Sequence, residues 1–280
     1  MVSTGAVSVV IPSHNRADTL QAAVGSALAQ DGADIEVLVC DDGSSDESED
    51  VVCSFNDPRV RWLPGPRTGG PAAPRNRGVA AANGEWVAFL DSDDTWVAGK
   101  IDAQLAAVEA TSANACATNA YRLVSGSDAP VGLLHNRLPE QITLPAELRA
   151  NLVVTSSLMV RTAEIRRLGG FPRVPGRIIF EDYALWLRLA SAGPIVALDA
   201  PWVAYRDAPS TSVRSAMASE LRCTANTFRD FRRWRRAQEP RQSTTLVETL
   251  LMARQLSTLV SVRDMARRSG WLPTAGARGA

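Results

Sequence analysis

The sequence predicts an α/β fold with a mixed, mainly parallel sheet flanked by helices and followed by a helical C-terminal extension. Short β-branched runs alternate with helical stretches over the first hundred residues, and the connections between them are short. The runs at 7–11 and 35–40 are almost continuously apolar, which is typical of strands that are buried on both faces. After residue 214 the chain has a helical pattern with few strand signals.

The individual elements follow from this alternation. Strands are predicted at 7–11, 35–40, 60–63 and 86–90, and helices at 18–30, 46–55 and 72–83. Beyond residue 100 we predict a helix at 100–111, a strand near 115–124, a long loop at 125–145, a strand near 157–160 and a helix at 181–192. An amphipathic helix is expected at 246–268.

The bulk composition narrows the class of protein. Of 280 residues, 45% are apolar and 21% are charged, and thirty basic residues balance thirty acidic ones, so the chain as a whole does not favour nucleic acid as a partner. The four cysteines are scattered without a C-x-x-C pair, which predicts reduced thiols. The apolar run at 6–11 is far shorter than the roughly 20 residues that span a bilayer. We therefore expect a cytoplasmic protein that contacts a membrane only peripherally.

Polar side chains follow the predicted parallel strands at the points where they end. S-H-N-R at 13–16 follows the first strand, D-D-G at 41–43 the second and D-S-D-D at 91–94 the fourth. In open α/β sheets, ligands bind beyond the carboxyl ends of the strands. The sequence therefore predicts one crevice lined by polar groups from three strand ends.

The acidic groups suggest a metal and a nucleotide. Three carboxylates within four residues at 91–94 repel one another, and a divalent cation relieves this cost. Mg²⁺ and Mn²⁺ sites of this kind use one or two carboxylates together with substrate phosphates. A carboxylate at 41–42 can accept hydrogen bonds from a pyrimidine imide or from ribose hydroxyls. The alternatives are a solvated acidic turn at 91–94 and an Asx-turn at 41–43, with Asp46 as the N-cap of the next helix.

Several motifs in a fixed order resemble family-2 glycosyltransferases of the GT-A fold. They are V-S-V-V-I-P-S-H-N-R, V-L-V-C-D-D-G-S-S-D, G-G-P-A-A-P-R-N-R-G, G-E-W-V-A-F-L-D-S-D-D-T-W, L-G-G-F-P and E-D-Y-A-L-W-L-R, and the resemblance covers residues 5 to 207. It implies a Rossmann-like GT-A sheet and an inverting transfer of sugar from a nucleoside-diphosphate sugar to an acceptor hydroxyl. It also implies a nucleotide-sugar-binding half at 1–100 and an acceptor-binding half at 101–210. The helical pattern of the remaining residues predicts a helical extension at 211–280.

The resemblance assigns residues to the donor. The residues expected to bind a UDP-, dTDP- or GDP-sugar are Pro12, Ser13, His14, Asn15, Arg16, Asp42, Arg75, Asn76, Asp91 and Ser92. His14 replaces the tyrosine that is usual in the family. Asp91 and Asp93 match the D-x-D pair, which implies a Mg²⁺ or Mn²⁺ cofactor, with Asp93 as the direct ligand and Asp91 nearer the ribose. For Arg75 and Asn76, a solvated helix start is an equal alternative.

The E-D motif matches the family's catalytic base. Asp182 is expected to take a proton from the acceptor hydroxyl, with Glu181 and Trp186 near the sugars. The alternative is a pair of acids that stabilise a helix start. The family's histidine after a Y-R pair is missing here, so Arg206 or Arg214 is expected to contact phosphate. Pro172 stands where relatives have aspartate, so the loop after G-G-F is expected to differ locally.

A basic cluster near the C-terminus is open to three interpretations. Its arginines alternate with Phe228, Phe231 and Trp234, and they are Arg229, Arg232, Arg233, Arg235 and Arg236. The pattern fits a helix on a membrane surface, an acceptor phosphate site, or an amphipathic helix whose aromatic side chains pack on the core.

The same motifs argue against other functions. A sugar nucleotidyltransferase has a glycine-rich loop near its N-terminus, but the segment V-V-I-P-S-H-N-R contains no glycine. A dinucleotide oxidoreductase needs G-x-G-x-x-G after the first strand, and this motif is absent. A catalytically silent nucleotide-sugar-binding protein is a further alternative, but Asp91, Asp93 and Asp182 are all present. The donor sugar, the base, the acceptor and the oligomeric state are not determined by these patterns.

Overall fold

The computed structural model describes residues 5–124, 129–174, 179–207, 220–238 and 245–268. Its strands are β1 (Val7–Ser13), β2 (Ile35–Asp41), β3 (Val60–Leu63), β4 (Trp86–Phe89), β5 (Thr95–Trp96), β6 (Ala115–Val124), β7 (Pro130–Leu133), β8 (Gln141–Ile142), β9 (Met159–Arg161) and β10 (Ile195–Asp207). Its helices are α1 (Ala17–Leu28), α2 (Ser48–Cys53), α3 (Ala72–Ala81), α4 (Lys100–Thr111), α5 (Leu144–Arg149), α6 (Thr162–Arg167), α7 (Glu181–Ala192), α8 (Glu220–Gln238) and α9 (Leu246–Arg268). A 3₁₀ turn covers Thr155–Ser157.

The first half of the chain forms the parallel part of the sheet. Within the described residues the ten-stranded sheet runs in the order β3-β2-β1-β4-β9-β6-β10-β5, with β7 paired to β6 and β8 to β10. β1 pairs in parallel with both β2 and β4, and β2 pairs in parallel with β3. Every residue of β1 is buried, as its almost continuously apolar run predicts.

The second half makes the sheet mixed. β9 pairs antiparallel with both β4 and β6, whereas β6 and β10 pair in parallel. The predicted loop at 125–145 is wrong in part, because it holds β7, β8 and the start of α5. β7 is only four residues long and β8 only two, and proline and glycine interrupt the pattern of β7. Residues 125–128 lie outside the described part of the chain.

Helices cover both faces of the sheet. On one face, Leu20 of α1 and Leu105 of α4 pack in an apolar cluster with the buried side of β1 and β2. On the other face, Trp186 of α7 and Phe231 of α8 belong to a second cluster that also contains Met252 of α9. Of the C-terminal helices, α8 packs onto α7, and α9 packs onto α5 and α8 as part of the same core.

The basic cluster of α8 divides its residue types between two environments. Phe228 and Phe231 are buried, and Trp234 packs against the same core cluster. This favours the core-packing interpretation of the aromatic side chains. In the described part of the chain, no helix has the length and apolar character needed to cross a bilayer.

Candidate active site

The three polar strand ends meet at one edge of the sheet, as predicted. Ser13 at the end of β1 is in register with Asp41 at the end of β2, and the Asp42 N–H donates to the Ser13 carbonyl at 2.8 Å. On the other side of β1, the guanidinium of Arg16 lies 3.7 Å from the Asp93 carboxylate. The carboxyl ends of β1, β2 and β4 therefore form a single polar crevice.

The segment after β1 is held by the segment after β2. The Asn15 side-chain oxygen accepts from the Ser45 N–H at 2.8 Å, and the Asn15 N–H donates to the Ser44 hydroxyl at 2.9 Å. Asn15 has a φ of 51°, a left-handed conformation that asparagine tolerates better than most residues. Pro12 and Ser13 are buried, and neither the Ser13 hydroxyl nor His14 Nδ1 has a hydrogen-bond partner among the described residues. Both atoms are themselves buried, so each is a polar group enclosed next to the crevice without a partner.

The two neighbouring aspartates after β2 have different roles. Asp41 accepts from the Gly43 N–H at 2.9 Å and from the Ser44 N–H at 3.0 Å, which is the Asx-turn that the sequence allowed. Asp42 is buried and accepts from the loop after β3, namely from Thr68 N at 2.9 Å, Thr68 Oγ1 at 2.5 Å, Gly69 N at 3.0 Å and Arg67 Nη1 at 2.6 Å.

These hydrogen bonds keep Asp42 ionised. Burial alone raises the pKa of its carboxyl group, but the donors from Thr68, Gly69 and Arg67 outweigh burial and lower the pKa below its usual value. Asp42 is therefore a charged anchor for the 67–69 loop. A nucleobase that forms a hydrogen bond with Asp42 has to share the carboxylate with the 67–69 loop.

Arg75 connects the D-x-D motif with the E-D motif. Its guanidinium donates to Asp91 Oδ1 at 2.7 Å and to Glu181 Oε1 at 3.0 Å, and it lies 5.1 Å from the centre of the Phe171 ring. Arg75 is buried, so a solvated helix start is wrong for this residue. Burial alone lowers the pKa of Arg75. The negative charges of Asp91, Glu181 and Asp182 outweigh burial and raise the pKa above its usual value, so the guanidinium is always charged. One cation thus joins residues that are far apart in sequence.

Asn76 is engaged with the G-G-F segment. Its amide donates to the Phe171 carbonyl at 2.8 Å and accepts from the Phe171 N–H at 2.8 Å. Gly170 has a φ of 65°, and a Cβ there would lie 2.4 Å from the Asn76 side-chain oxygen. The geometry gives both polar groups of Asn76 a positioning role next to Arg75.

The D-S-D-D carboxylates separate into two kinds. Asp94 is buried, and it accepts from the Ser156 hydroxyl at 2.5 Å and from the Arg206 N–H at 2.8 Å. The side chains of Asp91 and Asp93 keep 28% and 27% of their surface exposed. Burial and the neighbouring Asp91 charge raise the pKa of Asp93. Asp91 and Asp93 thus offer two neighbouring, accessible carboxylates that repel each other. Carboxylate oxygens are ligands that Mg²⁺ and Mn²⁺ prefer.

The two acids of the E-D motif also differ. Glu181 is bound to Arg75, and burial, followed by the nearby Asp182 charge, raises its pKa to about 7. Asp182 accepts from the Tyr183 N–H at 2.7 Å and lies 3.5 Å from the Thr155 hydroxyl. Both side chains begin α7 and are only partly buried. Of the two acids, only Glu181 forms an ion pair with Arg75, and the Asp182 carboxylate does not.

Two predicted site residues lie away from solvent. Trp186 is fully buried and packs edge-to-face on Phe171 with ring centres 5.8 Å apart. A direct contact between its indole and a sugar is therefore excluded, because α7 turns this side chain into the core. Ser92 is also buried. Arg214 lies outside the described residues, whereas Arg206 lies at the site through its bond to Asp94.

Sequence reasoning missed the 3₁₀ turn at Thr155–Ser157. The Ser156 hydroxyl accepts from the Asp91 N–H at 3.0 Å and donates to Asp94, and its carbonyl accepts from the Trp96 indole at 2.8 Å. The turn therefore holds the D-S-D-D motif from a distance of about sixty residues along the chain. Local sequence patterns carry no signal for such contacts.

Comparisons with known proteins identify the family of the chain. The model of Glycosyl transferase family 2 matches residues 8–163, more than half of the chain. The chain is 32% identical over 227 residues, which are 80% of this chain and 86% of the relative, to the UDP-Glc:alpha-D-GlcNAc-diphosphoundecaprenol beta-1,3-glucosyltransferase WfgD of Escherichia coli.

Two solved structures have the same fold. One is S. aureus TarS 1-349 in complex with UDP-GlcNAc, with a TM-score of 0.71 and 21% identity over 91% of this chain and 73% of that one. The other is the mannosyltransferase PcManGT of Pyrobaculum calidifontis in complex with GDP-Man and Mn²⁺, with a TM-score of 0.59 and 18% identity over 96% and 77%. The chain therefore belongs to glycosyl transferase family 2, has the GT-A fold and is a glycosyltransferase.

Proposed function

We propose that this glycosyltransferase inverts the anomeric centre of a UDP-sugar donor as it transfers the sugar to an acceptor hydroxyl, with the help of a divalent cation. The observation that carries the proposal is the Arg75 guanidinium, which binds Asp91 of the D-x-D motif and Glu181 of the E-D motif at once. Donor-side and acceptor-side acids thus lie on either side of one buried cation. UDP is favoured because WfgD is named for UDP-Glc and the TarS structure contains UDP-GlcNAc.

The nucleoside is proposed to lie over the ends of β1 and β2. Asp42 is an ionised acceptor for an imide N–H, and the Ser13 hydroxyl and His14 Nδ1 have unused hydrogen-bonding capacity in the described structure. The N–H groups of Asn15 and Arg16 are fixed by the 44–48 segment through Ser44 Oγ at 2.9 Å and Ser48 Oγ at 3.0 Å. A base and ribose would therefore meet a preformed surface.

Asp182 is proposed as the general base. It takes the proton from the acceptor hydroxyl while that oxygen forms a bond to the anomeric carbon from the side opposite the diphosphate. The bond between the anomeric carbon and the diphosphate breaks in the same displacement, so the configuration inverts and nucleoside diphosphate leaves. Glu181 is the poorer candidate because Arg75 already binds its carboxylate.

Asp93, with Asp91 beside it, would hold the divalent cation. When bound, Mg²⁺ or Mn²⁺ supplies positive charge to the diphosphate leaving group, so no acid partner is required. The PcManGT complex contains Mn²⁺. Within the described residues no cluster of three or more metal-ligating side chains occurs, so the remaining ligands of such a cation would be phosphate and water oxygens. Arg206, whose positive charge acts on Asp93, is proposed to contact the same phosphates.

A thermal-shift screen of nucleoside diphosphates tests the donor assignment. With Mn²⁺ present, UDP is expected to raise the melting temperature more than dTDP, GDP, ADP or CDP, because ligands that bind the native state stabilise it by about 2.7 kcal/mol at a hundredfold excess over Kd. Asp42→Ala is the control: it removes the imide acceptor and is expected to weaken UDP binding by about 1–3 kcal/mol. Equal shifts for all five nucleotides would contradict the proposed nucleoside site.

The outer face of α8 is proposed to contact an anionic membrane surface. Arg229, Arg233 and Arg236 are exposed and follow one another at helical spacings of four and three, opposite the buried Phe231. Arg235 belongs to another face, where it binds Glu248 at 2.6 Å. WfgD is named for a diphosphoundecaprenol acceptor, which is a lipid. We infer a lipid-linked acceptor for this chain as well, reached by a peripheral enzyme.

Reversing these charges tests the membrane contact. The triple variant Arg229→Glu, Arg233→Glu, Arg236→Glu is expected to lose binding to vesicles that contain phosphatidylglycerol, since each arginine near such a surface contributes about 1 kcal/mol. Vesicles of phosphatidylcholine alone are the control, and transfer to a water-soluble acceptor should be kept. Failure of the wild type to sediment with the anionic vesicles would rule out this surface.

A further inference from the structure

The start of α7, which carries the E-D motif, is held by a residue of α8. The residue that precedes the helix is Phe180, and no side chain from its own segment caps the helix. Its N–H instead donates to the Thr227 hydroxyl at 3.0 Å. Thr227 is fully buried, so this contact is shielded from water. Phe180 is two residues before Asp182, and the contact therefore fixes the main chain beside the proposed base.

Thr227 has a hydroxyl with a fixed direction. It donates to the Cys223 carbonyl one turn earlier in α8 at 2.9 Å, which leaves its lone pairs for Phe180. A β-branched threonine in a helix has few χ1 rotamers, and this back-bond selects one of them. The acceptor presented to Phe180 is therefore rigid, because α8 itself is anchored in the core by Phe228 and Phe231.

The contact belongs to a set that joins α7 to the C-terminal helices. The Tyr183 hydroxyl lies 2.9 Å from Gln255 Oε1 of α9 and 2.9 Å from the Glu147 carbonyl of α5. Farther along α7, Arg188 binds Asp230 of α8 at 2.8 Å. The family model ends at residue 163, so both the E-D motif and these supports lie beyond the matched segment.

We propose that Thr227 is a positioning residue for the E-D motif, which acts on Asp182 by fixing the Phe180 backbone. This inference rests on the proposed role of Asp182 as the base. The N–H groups at the start of a helix lack partners within the helix, so a start without a cap is free to fray. A shift of about 1 Å in a catalytic group can lower the rate by about a hundredfold even when the mutated residue is remote.

Thr227→Val tests the inference, because valine keeps the shape and removes the acceptor. We expect kcat to fall roughly ten- to a hundredfold, while the KM for the donor and the affinity for nucleoside diphosphate stay unchanged. Thr227→Ser restores a hydroxyl and is expected to recover most of kcat. Thr227→Ala is expected to lose as much kcat as Thr227→Val. It takes the place of Thr227→Val in the test if the valine variant does not fold.

The controls separate this role from simple stabilisation. A variant that melts at a lower temperature but keeps the wild-type kcat would overturn the inference, and so would a serine variant as slow as the valine one. Asp182→Asn is measured alongside. If it is inactive while Thr227→Val and Thr227→Ala are fully active, only the positioning role fails. If Asp182→Asn is fully active, the proposed base fails instead.

Discussion

Replacing Asp182 with asparagine is expected to slow sugar transfer by about 10²–10⁴-fold while donor and metal affinity stay almost unchanged. The amide has nearly the same shape as the carboxylate and can keep the contacts with Tyr183 N and the Thr155 hydroxyl. It cannot, however, accept the proton of the acceptor hydroxyl. The natural acceptor is not required for the measurement, because slow hydrolysis of the donor, with water as the acceptor, reports the same proton transfer.

Glu181→Gln is the matched control for this experiment. Glu181 binds Arg75, which in turn binds Asp91 on the proposed donor side. We therefore expect a milder loss of kcat together with weaker donor binding. If Glu181→Gln were inactive and Asp182→Asn active, Glu181 would be the base. If both variants kept full activity, the motif would be structural and Asp207, at the end of β10, would be the next candidate.

Asp93→Ala is expected to abolish metal-dependent donor binding without unfolding the protein. The side chain is partly exposed, and its ion-pair contact with Arg16 is long, at 3.7 Å, so the fold loses little when it is removed. The loss of nucleotide affinity should exceed the roughly 10–100-fold that loss of an outer-shell partner costs a metal site. Calorimetric titration of UDP with and without Mn²⁺, and direct Mn²⁺ binding, measure the effect separately from turnover.

Asp94→Ala is the contrasting variant in the same motif. Asp94 is buried and bonded to the Ser156 hydroxyl and the Arg206 N–H, so its replacement is expected to lower the melting temperature. Asp93→Ala should leave the melting temperature near that of the wild type. Undiminished transfer by the wild type in excess EDTA, together with unchanged UDP affinity in Asp93→Ala, would contradict the metal site.

Residues that depend on local pattern were predicted well from the sequence. The helix bounds at Lys100–Thr111 and Glu181–Ala192 and the strand bounds at Val60–Leu63 agree with the structure. The helix predicted at 46–55 is shorter, at Ser48–Cys53. The predicted strand near 157–160 begins later, at Met159, because Ser157 belongs to the 3₁₀ turn. The expected helical region from 214 is described only from Glu220.

The sequence alone determined that polar strand ends meet in one crevice, because strands that alternate with helices run parallel and therefore end at the same edge of the sheet. Only the tertiary structure decided which acids stay accessible. The side chains of Asp91 and Asp93 keep about a quarter of their surface exposed, whereas Asp94 is bound by Ser156 from a distant turn. The tertiary structure also placed the aromatic side chains of α8 in the core and the exposed arginines on the opposite face, and it brought Thr227 next to Phe180. These outcomes depend on contacts between residues far apart in the chain, whose geometry no local pattern specifies.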